Sequence, residues 1–290
     1  MVGHELDVLL AAKRLVWRGF LDALAKGVRR DAAGLLIDEQ YGSDIAREAR
    51  EQDVTFAMPV EKTGRDEFEF EHADDFSRTI EEFEPSYVKA LVRYNPGGDD
   101  ELNNRQAARL IRLSDWLRVH GRRLLFELLV PPTDEQLHSV GGSKDRYDAE
   151  VRPELMVQAI EALQDAGIEP HLWKIEGVEE REACRAIARA ARGGGREGVG
   201  CLVLGRGASV ACVDTWLRAG AGVDGYAGFA VGRSIFGDVI REFSADPDGY
   251  DAQRGVDEIS ARYRRFITVY EDAERASDAG DRQVRKAGFG

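Results

Sequence analysis

The chain is poor in the residues that most often announce a function. Its three cysteines, Cys184, Cys201 and Cys212, are odd in number and lack metal-ligand spacing. They argue against a disulfide framework and read as reduced cytosolic thiols. Its five histidines (His4, His72, His120, His138 and His171) form no H-x-H or H-x-x-x-H pair. That argues against a zinc hydrolase or a zinc-dependent aldolase, and no metal or other cofactor is expected. Basic residues fall short: 40 Lys and Arg face 53 Asp and Glu, a net charge of −13. This balance argues against nucleic acid and anionic membrane surfaces as partners. No apolar run approaches about 20 residues, so nothing is expected to span a bilayer. Residues 1–28 carry charges throughout and open without a basic n-region, so they do not read as a signal peptide. No G-x-G-x-x-G or G-x-x-x-x-G-K-[ST] motif opens the first helix, which weighs against a Rossmann or P-loop fold. A cytoplasmic location is the expectation.

Lysine is the most telling shortage, with seven residues against 33 arginines. Two of the seven fall inside apolar runs that read as buried parallel strands. Lys174 lies in Pro170-His171-Leu172-Trp173-Lys174-Ile175-Glu176, and Lys89 in Tyr87-Val88-Lys89-Ala90-Leu91-Val92. An ammonium in a strand interior needs a partner or a task. Arginine serves the general surface here, so a strand lysine suggests chemistry that a guanidinium cannot do. An amine can lose its proton and attack a carbonyl.

At 290 residues and 43% hydrophobic, the chain can fill one large α/β barrel or two small domains. Leu6, Leu9, Leu10, Val16, Phe20, Leu21 and Leu24 recur at helical spacing, so residues 5–28 read as an amphipathic helix. Strands and helices then alternate. The expected strands are Gly34–Asp38, Val54–Met58, Tyr87–Arg93, Leu124–Val130, His171–Glu176, Gly200–Leu204 and Gly225–Val231. Helical patterns lie between them, and two more follow near 234–243 and 252–275. Strict alternation implies a parallel sheet with right-handed crossovers. Seven repeats favour a single TIM-type (β/α) barrel over an open sheet, with residues 1–30 as a helix on its outer wall. Residues 131–152 form a long polar connection suited to a lid, and residues 276–290 read as a frayed tail.

Barrels place catalytic groups at the C-terminal ends of their strands. The unusual polar residues collect there: Asp38, Glu61, Lys89 with Arg93, Glu127, and Lys174 with Glu176. Gly205-Arg206-Gly207 closes the sixth strand, and Gly232-Arg233-Ser234 closes the seventh and opens a helix. Each feature has a plain structural reading as well. Glu61-Lys62 would serve as an ion pair, the glycines as tight turns, and Arg206 as a surface charge. The joint pattern of lysine, glutamate and lysine on three successive strands points to Schiff-base chemistry. A free lysine is only about 0.04% neutral at pH 7. A neighbouring ammonium and an apolar wall favour the neutral amine. Glu127 is then the candidate proton shuttle. The backbone N–H groups around Gly205, Gly207 and Gly232 suit a phosphate, and Arg233 adds a bidentate charge.

These motifs resemble a known family. Ile37-Asp38-Glu39-Gln40-Tyr41-Gly42, Val60-Glu61-Lys62-Thr63-Gly64, Val88-Lys89, Phe126-Glu127, Trp173-Lys174-Ile175-Glu176 and Val231-Gly232-Arg233 are similar to the tagatose-bisphosphate aldolase type of Schiff-base (class I) aldolases. The branch most resembled is the aldolase-like domain fused to the kinase of bacterial myo-inositol catabolism, associated with 2-deoxy-5-keto-gluconate 6-phosphate. The resemblance runs from about Leu9 to Tyr270. It implies an eight-stranded barrel, Lys174 as imine former, Lys89 and Glu127 as its polar partners, and Arg233 at a phosphate. Asp38, Glu61, Arg93 and Glu176 would contact the rest of a phosphorylated sugar substrate. The implied products are dihydroxyacetone phosphate and a short semialdehyde, and the expected form is free-standing, without the kinase.

The family pattern begins with a strand ending in Asp-His-Arg or Asp-Gln-Arg before the helix that here covers residues 5–28. Met1-Val2-Gly3-His4 does not supply one. Seven strands and an incompletely closed barrel are therefore expected. Such an opening leaves unpaired backbone groups, which a homo-oligomer could cover. Two other readings stay open: a catalytically impaired sugar-phosphate-binding barrel, and a barrel isomerase or epimerase with Glu127 and Glu176 as its acid/base pair.

Overall fold

Seven parallel strands pair in simple sequence order in this computed structural model, which describes residues 2–287. They are β1 (Gly34–Leu36), β2 (Thr55–Pro59), β3 (Tyr87–Arg93), β4 (Leu124–Leu129), β5 (Leu172–Glu176), β6 (Gly200–Leu204) and β7 (Tyr226–Ala230). The helices before and between them are α1 (Val2–Ala25), α2 (Glu39–Glu51), α3 (Ser77–Phe83), α4 (Asp100–Val119), α5 (Asp134–Ser139), α6 (Lys144–Arg146), α7 (Arg152–Asp165), α8 (Arg181–Arg192) and α9 (Val210–Gly220). Two more, α10 (Arg233–Ala245) and α11 (Ala252–Ala287), close the chain.

Alternation along the strands decides which face meets the helices. Val88, Ala90 and Val92 of β3, Phe126 and Leu128 of β4, Trp173 and Ile175 of β5, and Cys201 and Val203 of β6 are buried in one core with α4, α7, α8 and α9. The residues that alternate with them turn to the other face, the barrel interior. A second, smaller core joins α1 and α2 to β1 and β2 through Trp17, Phe20, Ile37, Ile45, Phe56 and Met58.

The barrel is open. Among the described residues, β1 and β7 do not pair with each other, and each has one free edge. The seven-stranded, unclosed sheet is the one expected from the sequence. Both edges are blunted. β1 has three residues, and β7 carries a bulge where the register with β6 shifts past Ala227. Gly228 follows the bulge at φ +143°, a backbone conformation that side chains rarely allow. Short and bulged edges discourage pairing with other chains.

Element ends differ from the sequence reading by a few residues. β1 stops at Leu36, short of the expected Asp38, because Asp38 caps α2: its side chain accepts from the Tyr41 N–H, so the helix begins at Glu39. The expected lid of 131–152 folds into α5, α6 and a π-helical turn at Tyr147–Val151. The last helix runs on to Ala287 past the expected stop near 275, and residues 288–290 of the expected tail lie outside the described residues. Among the described residues no helix is long and apolar enough to cross a membrane.

Candidate active site

Lys89, Glu127 and Lys174 all project into the barrel interior. Glu127 stands opposite Lys174 in the β4–β5 register, and Lys89 lies one step down on β3, opposite Leu125. Lys174 Nζ donates to Glu127 Oε1 at 2.8 Å, and Lys89 Nζ lies 3.0 Å from Glu127 Oε2. Lys89 Nζ also donates to Glu61 Oε1, just past the end of β2. The result is a line of alternating charge, Lys174–Glu127–Lys89–Glu61, across four consecutive strands. All four side chains are at most 10% exposed.

Position in the line sets the electrostatics. Burial disfavours every charge in it. Lys89 is flanked by two carboxylates, Glu61 and Glu127, which together outweigh burial and hold its pKa above the ordinary lysine value. Glu127 is flanked by two ammonium groups, which outweigh burial and hold its carboxyl below the ordinary range. The two ends have one partner each, and there burial wins. It lowers the Lys174 amine, helped by the charge on Lys89, and raises the Glu61 carboxyl. The amine most ready to become a nucleophile is therefore Lys174.

The other residues expected at the site divide into groups. Asp38 stays at the head of α2, where it also pairs with Lys13 of α1. Arg93, at the end of β3, donates to the Arg65 carbonyl at 2.6 Å. Glu61 pairs with Lys89 and not with its neighbour Lys62, which turns to Glu69 at 3.0 Å. Glu176 enters a separate network. Its Oε2 accepts from the Val130 N–H at 2.9 Å, and its Oε1 meets Arg206 Nε at 3.0 Å and Arg152 Nη1 at 3.6 Å. Arg206 Nη1 continues to Asp148 Oδ2 at 2.9 Å, so the network ties the π-helical turn to the ends of β5 and β6. Burial raises the Glu176 carboxyl even against these two arginines.

The two glycine turns meet each other. Arg233 Nη2 donates to the Arg206 carbonyl at 3.0 Å, and Ser234 Oγ donates to the Ala208 carbonyl at 2.9 Å. Gly207, at φ +73°, lies under the Arg233 guanidinium, and a Cβ there would come within 2.7 Å of it. Gly232 caps α10 without a side chain, so no capping side chain accepts from the first amides of that helix. A glycine turn beside a helix N-terminus, with an exposed arginine across it, is suited to an anion.

Asp148, Arg152 and Arg206 were not singled out as site residues by the sequence. The four-residue spacing of Asp148 and Arg152 on one helical face was the available signal.

A family described as "Uncharacterized protein conserved in bacteria (DUF2090)" matches residues 1–274. The chain belongs to this family. No curated protein matches it. Among solved structures, this DUF2090 barrel is similar to a fructose-bisphosphate aldolase from Plasmodium falciparum, with 13% identity, a TM-score of 0.59, and 82% of this chain and 77% of that one covered. A fructose-bisphosphate aldolase from Slackia heliotrinireducens shares 15% identity at a TM-score of 0.53, covering 86% of this chain and 76% of that one. The YdjI aldolase from Escherichia coli K12 shares 12% identity at a TM-score of 0.52, covering 88% and 87%. At these identities the likeness establishes the shared (β/α) fold.

Proposed function

We propose that the protein is a Schiff-base aldolase that cleaves a phosphorylated keto sugar acid, of the 2-deoxy-5-keto-gluconate 6-phosphate kind, to dihydroxyacetone phosphate and a semialdehyde. The observation that carries this reading is the buried Lys174–Glu127–Lys89 line, with the lowered amine at its end. The aldolases among the structural neighbours agree with it. In this reading the neutral Lys174 amine attacks the substrate ketone. Glu127 moves one proton from the nitrogen to the oxygen, and a second proton, taken from solvent, lets that oxygen leave as water, so that the imine formed is protonated. The carbon–carbon bond then breaks with its electron pair flowing into the protonated imine. The hydroxyl proton of the departing aldehyde goes to the Glu127 carboxylate, which lies beside Lys174 Nζ. Arg233 and the turns around Gly205, Gly207 and Gly232 hold the phosphate.

One observation favours a second reading, a sugar-phosphate-binding barrel of weak activity. Leu36, on the interior face of β1, is 51% exposed through the open side. Water entering there would weaken the electrostatics of the line. No comparable observation supports the isomerase reading, because Glu176 is occupied by Arg206, Arg152 and the Val130 amide.

Borohydride reduction in the presence of dihydroxyacetone phosphate, followed by intact mass and peptide mapping, separates the readings. A covalent increment on Lys174 supports the aldolase. A label on Lys89 reverses the two lysines' roles, and no label sinks the aldolase in favour of binding alone.

A further inference from the structure

Glu61 ends the charge line with one oxygen unused. Its Oε1 accepts from Lys89, while Oε2 is buried with no hydrogen-bond partner among the described residues. Glu127, by contrast, commits one oxygen to each lysine. A buried carboxylate oxygen without a donor is costly, and a neutral hydroxyl in the same place is less so. We propose that Glu61 is a positioning residue: as a neutral, protonated carboxyl it pins Lys89 as the lasting ammonium of the line and leaves Lys174 as the amine that gives up its proton.

The proton count supports this arrangement. Two lysines and two glutamates can be fully ionised, or neutral at both ends and ionised in the middle. Relative to the first state, the second has one proton fewer on Lys174 Nζ and one more on Glu61 Oε2. The net charge of the four stays at zero and no other bond changes. The middle ions keep two partners each in this state, and the ends no longer hold a poorly compensated buried charge. The groups facing Glu61 are Lys89 from β3, then Glu127 from β4 and Lys174 from β5. Lys62, next in sequence, is turned to Glu69. Burial acts in the same sense on both ends, upward on Glu61 and downward on Lys174.

The inference rests on Lys174 being the imine former, yet its test needs no substrate. The chain has only seven lysines, so a titration of the lysine Nζ groups by nitrogen-15 NMR can follow Lys89 and Lys174 one by one. Glu61→Gln keeps the acceptor and mimics the neutral acid, and should leave both midpoints where they are in the wild type. Glu61→Ala removes the acceptor from Lys89. The proton shared along the line then shifts toward Lys174, whose midpoint should rise by about one unit, a tenfold loss of neutral amine at fixed pH. If Glu61→Gln lowers both midpoints by about a unit, Glu61 was ionised and the proposal is overturned. An unchanged Lys174 midpoint in a folded Glu61→Ala protein overturns the positioning role. Where Glu61→Ala does not fold, Glu61→Gln decides alone. Borohydride trapping on the wild type tests the aldolase reading separately, so the two can fail independently.

Discussion

β4 is buried on both faces over nearly its whole length, whereas β1 is covered mainly on the side toward α2. The difference extends to their surroundings. β3, β4 and β5 have partners on both edges and carry Lys89, Glu127 and Lys174. β1 and β7 end the sheet, one very short and the other bulged. A buried ion pair needs a low-dielectric wall and fixed geometry to be strong. Only the middle of the sheet offers both, and that is where the charged line sits. The ends tolerate exposure because they hold no buried charge. The charged line thus sits on strands that are not at the sheet's open edges.

The sharpest way to break this contrast is to remove the amine. Lys174→Arg keeps a positive charge but cannot form an imine, and the borohydride-dependent mass increment should vanish. If the increment survives on another lysine, the middle of the sheet has been misread. On the proposed aldolase reading, Glu127→Gln removes the proton shuttle, and retro-aldol turnover should fall by about 10²–10⁴-fold, measured as dihydroxyacetone phosphate released. A loss below tenfold would assign the proton to another group.

Stability should follow the same gradient. Leu128→Ala in β4 should cost about 2–5 kcal/mol in denaturant unfolding, as for other core truncations. Leu36→Ala in β1 should stay within about 0.5 kcal/mol, as for exposed sites. Similar costs at both positions would mean that the edge is as tightly packed as the centre. At the β7 end, Arg233→Ala should weaken a phosphorylated ligand by about 1.5–3 kcal/mol in calorimetry and leave its unphosphorylated analogue nearly unaffected. Equal losses for both ligands would remove the phosphate from this turn.

The smallest expected effect is a slope with pH. Lys174 has a folded pKa below its ordinary 10.5. Between those two values the unfolded chain binds the extra proton, so stability should rise with pH across the window. Lys89, raised above 10.5, acts in the opposite sense: its contribution is full below that value and is lost as pH rises through its folded pKa. Lys174→Met should flatten the rise below 10.5 in thermal melts at stepped pH, and an unchanged slope would exclude Lys174 as its source.

Much of this arrangement was legible in the sequence because strand lysines are conspicuous. β3 and β6 begin and end where the apolar runs do, and alternation alone puts Lys89 with Arg93 and Lys174 with Glu176. What was not legible depends on partners far apart in the chain. Glu61 lies beside Lys62 in sequence yet pairs with Lys89 across 28 residues, because β2 and β3 are adjacent strands. Glu176 shares a face with Lys174 but is drawn to Arg206 past the end of β6 and Arg152 at the start of α7. Asp38, expected as a strand-end carboxylate, instead caps α2, where its side chain meets the Tyr41 amide.

Arg206 gives the connection between β4 and α7 a mechanical character. Its backbone sits at φ +49°, a left-handed bend that costs a non-glycine residue about 1–2 kcal/mol. The guanidinium, gripped by Glu176 and Asp148, holds that bend in place like a latch under spring load. One side chain thus joins the glycine turn to the π-helical turn. Arg206→Gly would relax the spring and undo the latch together, giving a backbone at ease and a π-helical turn with one tether fewer.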